Sequence, residues 1–268
     1  MNRKIGFIGC GNMAKAMIGG MVKSAFSHTD HIYASNRSRN NLEEMEQAYG
    51  IQTTDDNLVI AKECRTVFLA VKPEMYSPVI QQIKDAIHED AIIIMIAAGQ
   101  TIEQNEKRFE RKIKLVRAMP NTPVLVGEGM TGISYNDRLT EEEAEEVKSL
   151  FECFGQAEFV DEKLMDVVSG VSGSSPAYAY MFIEALADGA VLQGMPRKQA
   201  YVLASQAVLG AAKMVLETGI HPGQLKDNVC SPGGSTIKGV ASLEENGLRT
   251  AVITAVNASI TKAKSLSE

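Results

Sequence analysis

The chain has 268 residues, 45% of them hydrophobic and 22% charged, with a formal net charge of -6 at pH 7. This length allows one large or two ordinary domains with a sizeable core, and the acidic balance argues against nucleic-acid or anionic-membrane partners. No apolar run reaches the roughly 18 residues of a transmembrane helix, and glycines interrupt the first apolar run too early for a signal peptide. We therefore expect a soluble, cytoplasmic protein.

The first half of the chain alternates apolar runs with segments of helical periodicity. The predicted strands lie at 4–9, 31–36, 66–71, 91–98, 112–119, 130–135 and 157–162, and helices are predicted at 12–24, 40–50 and 74–88. The runs TVFLAV (66–71) and AIIIMIAA (91–98) are apolar on all sides, which is typical of strands buried on both faces of a parallel sheet. This order predicts a Rossmann-type, doubly wound α/β sheet over residues 1–162.

From residue 163 to residue 268 the pattern predicts helices only. They lie at 174–194, 196–219, 235–247 and 248–268, and the first opens with Ser-Ser-Pro, a favourable helix start. Apolar residues occur on more than one side of these helices, so more than one side is expected to be buried. We predict an all-α C-terminal dimerisation domain whose second face is covered by a partner subunit.

A glycine-rich segment after the first strand predicts a dinucleotide site. Residues 9–14, GCGNMA, fit the pattern G-x-G-x-x-A between a predicted strand and a predicted helix. The first glycine permits the tight turn, the second lets the backbone approach a pyrophosphate, and the small Ala14 lets the helix pack on the strand. The pyrophosphate would lie at the helix N-terminus, where free N–H groups favour anions.

The end of the second predicted strand indicates which dinucleotide binds. An NAD site usually has an Asp or Glu there, whereas this chain reads SNRSRN (35–40). Arg37 and Arg39 can bind a 2′-phosphate with charge-assisted hydrogen bonds, which favours NADPH and leaves NADH possible. The alternative is a solvated loop with incidental arginines.

Two further segments follow predicted strands at the carboxyl edge of the sheet, where ligands bind in such folds. AVKP (70–73) is one, although the same residues are also typical of a strand-to-helix turn. AMPNTP (118–123) is the other, and its polar backbone around Asn121 would frame a nicotinamide.

The scattered cysteines and histidines show neither a CxxC pair nor a metal-binding spacing. We therefore predict reduced thiols and no metal. Since a convincing nucleophile and a carboxylate pair are also lacking, hydrolytic chemistry has no support.

Taken together, these motifs resemble those of the pyrroline-5-carboxylate reductase family along essentially the whole chain. The similar segments are IGFIGCGNMA, FLAVKP, AMPNTP, SGVSGSSPAYAYMFIEALADGAV, HPGQLKDNV and SPGGSTIKGVASLEENG. The last is the family's signature, and the first three are shared with wider dehydrogenase relatives. The resemblance implies NAD(P)H-dependent reduction of Δ1-pyrroline-5-carboxylate to L-proline, the last step of proline biosynthesis. It also implies a homodimer with interleaved C-terminal helices, often assembled further into rings.

The resemblance also implies roles for single residues. Thr236 would hydrogen-bond the ring nitrogen of the substrate as the catalytic residue, and backbone N–H groups of Gly233 and Gly234 would hold its carboxylate. The predicted substrate-binding residues are Ser231, Gly233, Gly234, Ser235 and Thr236. The predicted cofactor-binding residues are Ile8, Gly9, Cys10, Gly11, Asn12, Met13, Ser35, Asn36, Arg37, Asn57, Ala70, Val71, Lys72, Pro73 and Asn121.

Four questions stay open at this point. Ser235 or Thr236 would also serve simply to cap the following helix. Where many members read SGSGPAY, Ser175 adds a side chain that bears on the local backbone conformation and on substrate range. A hydroxy-acid reductase of the same plan would carry a lysine within residues 174–191, which this chain lacks, and a non-catalytic NADPH sensor would not need the SPGGST segment.

Overall fold

The described residues, 4–267 of this computed structural model, form two units. One unit runs up to Ser174 and also includes the segment from Ser259 onward, and the other is Ser175–Ala258. Residues 1–3 and 268, the outer limits of the two predicted domains, lie outside the described residues. The predicted boundary near residue 163 stays a prediction.

Among the described residues, the first unit contains an eight-stranded sheet in the order β3-β2-β1-β4-β5-β6-β7-β8. The strands are β1 Ile5–Ile8, β2 Ile32–Ser35, β3 Gln52–Thr54, β4 Thr66–Leu69, β5 Ile92–Met95, β6 Lys114–Met119, β7 Gly129–Tyr135 and β8 Gly155–Phe159. This sheet confirms the predicted Rossmann-type fold class. The sequence did not predict β3, which is short and polar.

One strand pair departs from the parallel arrangement: β6 and β7 are antiparallel, while every other neighbouring pair is parallel. Parallel neighbours need a crossover of about a dozen residues or more. Residues 120–128, which join β6 to β7, form only a short connection with a 3-10 helix at Thr122–Val126. The chain therefore reverses direction at this point.

The helices account for the rest of the regular structure. They are α1 Asn12–Lys23, α2 Arg39–Tyr49, α3 Asn57–Glu63, α4 Tyr76–Ile83, α5 Ile102–Phe109, α6 Glu141–Glu152, α7 Met165–Val168, α8 Ser175–Leu192, α9 Arg197–Thr218, α10 Pro222–Val229, α11 Ser235–Glu245 and α12 Leu248–Ser267. A short π-helix, Ser169–Gly173, precedes α8. The sequence did not mark α3, α5, α7 or α10, because each is shorter than the window of about 11 residues in which helical periodicity shows.

Both faces of the sheet are buried, as the apolar runs predict. In β5, Ile92 and Ile94 pack into one hydrophobic cluster, whereas Ile93 and Met95 pack into another. Phe7 and Phe68 of the adjacent strands β1 and β4 stack with ring centroids 4.4 Å apart. This packing fixes the carboxyl ends of β1, β2 and β4, where most of the predicted cofactor residues lie.

The second unit exposes many large apolar side chains. Met181 of α8 and Val202 of α9 have exposed fractions of 70% and 63%, and the buried residues of these two helices are alanines. An apolar surface of this extent marks a site of interaction. Within residues 4–267, no helix has both the length and the apolar character that crossing a membrane needs.

Candidate active site

The loop between β1 and α1 has the backbone geometry of a dinucleotide site. Gly9 adopts a φ of +99°, and a Cβ atom there would lie 2.5 Å from the carbonyl oxygen of Ala70. Gly11 is the N-cap residue of α1, provides no side-chain cap, and has no heavy atom within 4 Å of the place a Cβ would take. The first amides of α1 therefore face open space, which fits a pyrophosphate at the helix N-terminus.

Asn36 joins the end of β2 to this loop. Its side-chain oxygen accepts a hydrogen bond from the backbone N–H of Cys10 at 3.4 Å, and its amide nitrogen donates to the carbonyl of Ser38 at 3.0 Å. Cys10 is buried, and burial raises the pKa of its thiol to about 11. The thiol therefore stays protonated at neutral pH and contributes packing rather than reactivity.

Residues from three separate segments meet at the predicted 2′-phosphate position. The hydroxyl of Ser35 donates to the side-chain oxygen of Asn57 at 2.7 Å, so the end of β2 and the start of α3 are joined. The Arg37 guanidinium lies 3.1 Å from the sulfur of Met75, in the 3-10 helix Pro73–Met75. The Asn57 amide and the Arg37 guanidinium offer donors suited to phosphate oxygens, whereas the single O–H donor of the buried Ser35 is already used by Asn57.

Tyr76 holds the edge of the sheet together beside Ala70–Pro73. Its buried hydroxyl donates to the carbonyl of Leu69 at 2.8 Å and accepts from the backbone N–H groups of Ile96 and Ala97 at 3.2 Å. Burial raises the pKa of this phenol, so it stays protonated. The sequence did not single out Tyr76; a lone polar tip on the otherwise apolar face of α4 was the available signal.

The side chain of Asn121 is engaged within the protein. Its amide nitrogen donates to the carbonyl of Ser172 at 2.9 Å, and its oxygen accepts from the backbone N–H of Met130 at 2.9 Å. These contacts join the segment after β6 to β7 and to the π-helix. A contact of Asn121 with the cofactor stays a prediction. Because the side chain is engaged, such a contact would involve the backbone of Asn121.

A buried ion pair, which sequence reasoning did not predict, supports the same region. Arg117 of β6 donates to Asp166 at 2.7 Å, and its guanidinium lies 3.7 Å from Glu162. Glu162 also accepts from the backbone N–H of Ile102 at 2.7 Å. These contacts attach α7 and the start of α5 to the strand that leads into AMPNTP.

In the second unit, the SPGGST segment forms a tight turn that leads into α11. The backbone N–H of Gly234 donates to the carbonyl of Ser231 at 3.0 Å, with Pro232 and a left-handed Gly233 (φ +69°) in between. Proline followed by a glycine of positive φ is typical of a type II turn. A Cβ at Gly234 would lie 2.3 Å from the Ser231 hydroxyl, which would have to rotate away, whereas the positive φ of Gly233 itself favours glycine.

The start of α11 shows whether either of the two hydroxyls caps the helix. Its N-cap is Gly234, which has no side chain, and no side-chain cap is formed. Ser235 and Thr236 are the first two helical residues and are exposed, so the capping alternative is wrong. The first-turn N–H groups stay open to an anion, with the hydroxyl of Thr236 beside them.

Ser175 does not distort the backbone. Positive φ among the described non-glycine residues occurs at Ala25 and Glu110, and Ser175 begins α8 as an ordinary helical residue. The hydroxyl of Ser174 lies 2.7 Å from that of Ser259 and donates to the carbonyl of Ser169 at 3.0 Å. Ser175, which stands where many family members have the second glycine of SGSGPAY, therefore leaves the start of α8 regular.

Comparisons with known proteins agree along the whole chain. A family model described as pyrroline-5-carboxylate reductase dimerisation matches residues 162–266, and one described as NADP oxidoreductase coenzyme F420-dependent matches residues 4–99. A pyrroline-5-carboxylate reductase of Escherichia coli (strain K12) is 47% identical over 268 residues, 100% of both chains. One of Methanosarcina acetivorans is 44% identical over 99% of this chain and 98% of its own.

Solved structures give the same result. A pyrroline-5-carboxylate reductase from Coxiella burnetii has a TM-score of 0.94 and 35% identity, covering 100% of both chains. A pyrroline carboxylate reductase of Plasmodium falciparum, solved with NADP bound, has a TM-score of 0.90 and 32% identity, covering 100% of this chain and 99% of its own.

Proposed function

This chain belongs to the pyrroline-5-carboxylate reductase family, and we propose that it reduces Δ1-pyrroline-5-carboxylate to L-proline with a nicotinamide dinucleotide. The observation that carries the proposal is the uncapped N-terminus of α11 behind the Gly233-Gly234 turn, within the family's signature segment. The N–H of Gly234 is used within the turn by Ser231, and the first-turn N–H groups of α11 offer backbone donors to a carboxylate, which the proposed substrate carries next to its imine.

The residues of this chain supply binding and orientation. The N–H groups at the start of α11 hold the substrate carboxylate, and the hydroxyl of Thr236 hydrogen-bonds the ring nitrogen. When bound, the reduced nicotinamide supplies the hydride. Because a protonated cyclic imine is already electrophilic, the reaction needs no strong general acid, and fixing the reacting groups in place is the main catalytic contribution.

A direct spectrophotometric assay tests this function. Purified protein is mixed with NADPH, and the loss of NADPH absorbance is followed with and without pyrroline-5-carboxylate, with proline identified by chromatography. We expect oxidation that depends on the substrate and yields one proline per NADPH. Tight NADPH binding without substrate-dependent oxidation at micromolar enzyme would instead indicate a sensor.

NADPH is the proposed preferred cofactor, and Arg37 supplies the test. Replacing Arg37 by Asp removes a charge-assisted donor and places a carboxylate near the 2′-phosphate. We expect KM for NADPH to rise about ten- to a hundredfold, from the loss of a hydrogen bond to a charged group. NADH lacks this phosphate and is the internal control, so an equal loss for both cofactors would remove Arg37 from the site.

The chain carries the family's dimerisation region, and we propose that it forms a homodimer through interleaved C-terminal helices, assembled further into rings. Replacing exposed Met181 by Asp places a charge on the apolar surface of α8. We expect the dimer dissociation constant, measured by sedimentation equilibrium, to rise at least ~30-fold, as at an interface hot spot. The matched control is Asp at exposed Gln47 of α2, and a wild-type protein that sediments as a monomer would contradict the proposal.

The proposed compartment is the cytoplasm. All four cysteines, Cys10, Cys64, Cys153 and Cys230, are free thiols. Free thiols are the normal state in reducing compartments. Fractionation of the source cells, with activity followed in each fraction, tests this assignment.

A further inference from the structure

The side-chain amide of Asn57 is held at both ends. Its oxygen accepts from the Ser35 hydroxyl at 2.7 Å, and its nitrogen donates to the side-chain oxygen of Gln82 at 2.8 Å. Ser35 is fully buried at the end of β2, whereas Gln82 is an exposed residue of α4. The amide of Asn57 thus connects the sheet to a surface helix through two hydrogen bonds of good length.

These two contacts determine which way the amide faces. A carboxamide nitrogen carries two N–H donors, and Gln82 takes one of them. Among the described residues, the second has no protein partner. Without the acceptor on Gln82, only the Ser35 contact at the oxygen would hold the amide, and its last torsion, which is broad for such a group, would be less restricted.

We propose that Gln82 is a positioning residue for the 2′-phosphate of NADPH, acting through the amide of Asn57. The inference rests on the proposed use of NADPH. Gln82 keeps the nitrogen of Asn57 outward from Ser35, so that its remaining N–H is ready to donate to a phosphate oxygen. A donor fixed before binding loses less rotational freedom when the ligand arrives, which strengthens binding.

The neighbouring contact of Arg37 supports the same role for this part of the chain. Met75, whose sulfur lies 3.1 Å from the Arg37 guanidinium, directly precedes α4, the helix that carries Gln82. The segment from Pro73 to Ile83 therefore contacts two predicted cofactor-binding side chains, Arg37 from Met75 and Asn57 from Gln82. The β2 residue next to them, Ser35, is the buried anchor of the group.

The first test replaces Gln82 by Met, which keeps the length of the side chain and removes the acceptor. Binding of 2′,5′-ADP and of 5′-ADP, which lacks the 2′-phosphate, is measured by isothermal titration calorimetry. We expect the affinity for 2′,5′-ADP to fall about three- to tenfold, the range for one neutral hydrogen bond, with that for 5′-ADP unchanged. In kinetics, KM for NADPH rises while kcat and KM for NADH stay the same.

Gln81 supplies the matched control. Its side chain donates to the carbonyl of Arg108 at 3.3 Å, on the side of α5, so Gln81→Met makes the same chemical change one residue away. We expect this variant to bind both nucleotides as the wild type does. Thermal unfolding followed by circular dichroism verifies that both variants are folded.

A double-mutant cycle tests whether Gln82 acts through Asn57. In an Asn57→Ala background, Gln82→Met should change the affinity for 2′,5′-ADP by less than about 1.5-fold, since residues that act as one unit are not additive. An undiminished loss in that background, an equal loss for 5′-ADP, or a wild type without preference for 2′,5′-ADP overturns the inference. These measurements need no turnover, so a failure of the pyrroline-5-carboxylate assay would leave their result intact.

Discussion

Gly11→Ala is expected to lower the affinity for NADPH about ten- to a hundredfold while lowering the free energy of unfolding by at most about 1 kcal/mol, since alanine is a poorer N-cap residue than glycine. Gly11 has an ordinary φ of -82° and a ψ of -178°, so alanine fits its backbone without strain. A Cβ there meets no protein atom within 4 Å, but it occupies the space beside the first amides of α1. The expected loss corresponds to one hydrogen bond to a charged group, and calorimetry with NADPH measures it.

Gly9→Ala is the contrasting variant. Its φ of +99° is unfavourable for alanine, and the added Cβ would lie 2.5 Å from the carbonyl oxygen of Ala70, a backbone atom that cannot swing away. We expect the free energy of unfolding in urea to fall by about 3 kcal/mol. If Gly11→Ala proved as unstable as Gly9→Ala, or bound NADPH like the wild type, the assignment of the two glycines would be wrong.

The central strands were predictable because their signal is local. β1, β4 and β5 are continuous apolar runs, and such runs are typical of strands buried on both faces. β3 and α3 were missed because Gln52–Thr54 is short and polar and α3 has only 7 residues. As a result, the sequence pattern did not assign Asn57 to any helix or strand, and only the family resemblance assigned it to the cofactor.

Side-chain partners were beyond sequence reasoning because they depend on distant segments. Asn121 follows a predicted strand and was assigned to the cofactor, but its side chain bonds Ser172 and Met130. Gln82 meets Asn57, which lies 25 residues earlier in the chain, and neither residue belongs to a motif that implies the other. Such pairings become visible only once the order of the strands is known.

The role of the SPGGST segment was open for a different reason. Glycine, serine and threonine are all acceptable N-cap residues, so composition alone could not say which residue begins α11. The backbone settles the choice: the left-handed Gly233 places Gly234 at the N-cap and moves Thr236 into the helix. The hydroxyl of Thr236 therefore does not cap the helix.

Thr236→Ala is therefore expected to lower kcat/KM for pyrroline-5-carboxylate about ten- to a hundredfold with little change in stability. The expected loss is that of one hydrogen bond to a charged ring nitrogen. Because Thr236 is exposed and caps no helix, the free energy of unfolding should change by less than about 0.5 kcal/mol. Steady-state kinetics at saturating NADPH and urea unfolding measure the two quantities.

Two further variants separate the hydroxyl from the helix start. Thr236→Ser keeps the hydroxyl and should recover most of the activity, whereas Ser235→Ala removes the neighbouring hydroxyl, to which the mechanism gives no contact with the ring nitrogen. We expect Ser235→Ala to lower kcat/KM much less than Thr236→Ala, because only Thr236 is proposed to contact the ring nitrogen. The first-turn N–H groups proposed to hold the carboxylate are unchanged in both variants. Equal losses in the two alanine variants would mean that the hydroxyls act by shaping the turn, and unchanged kcat/KM in Thr236→Ala would remove this side chain from the mechanism.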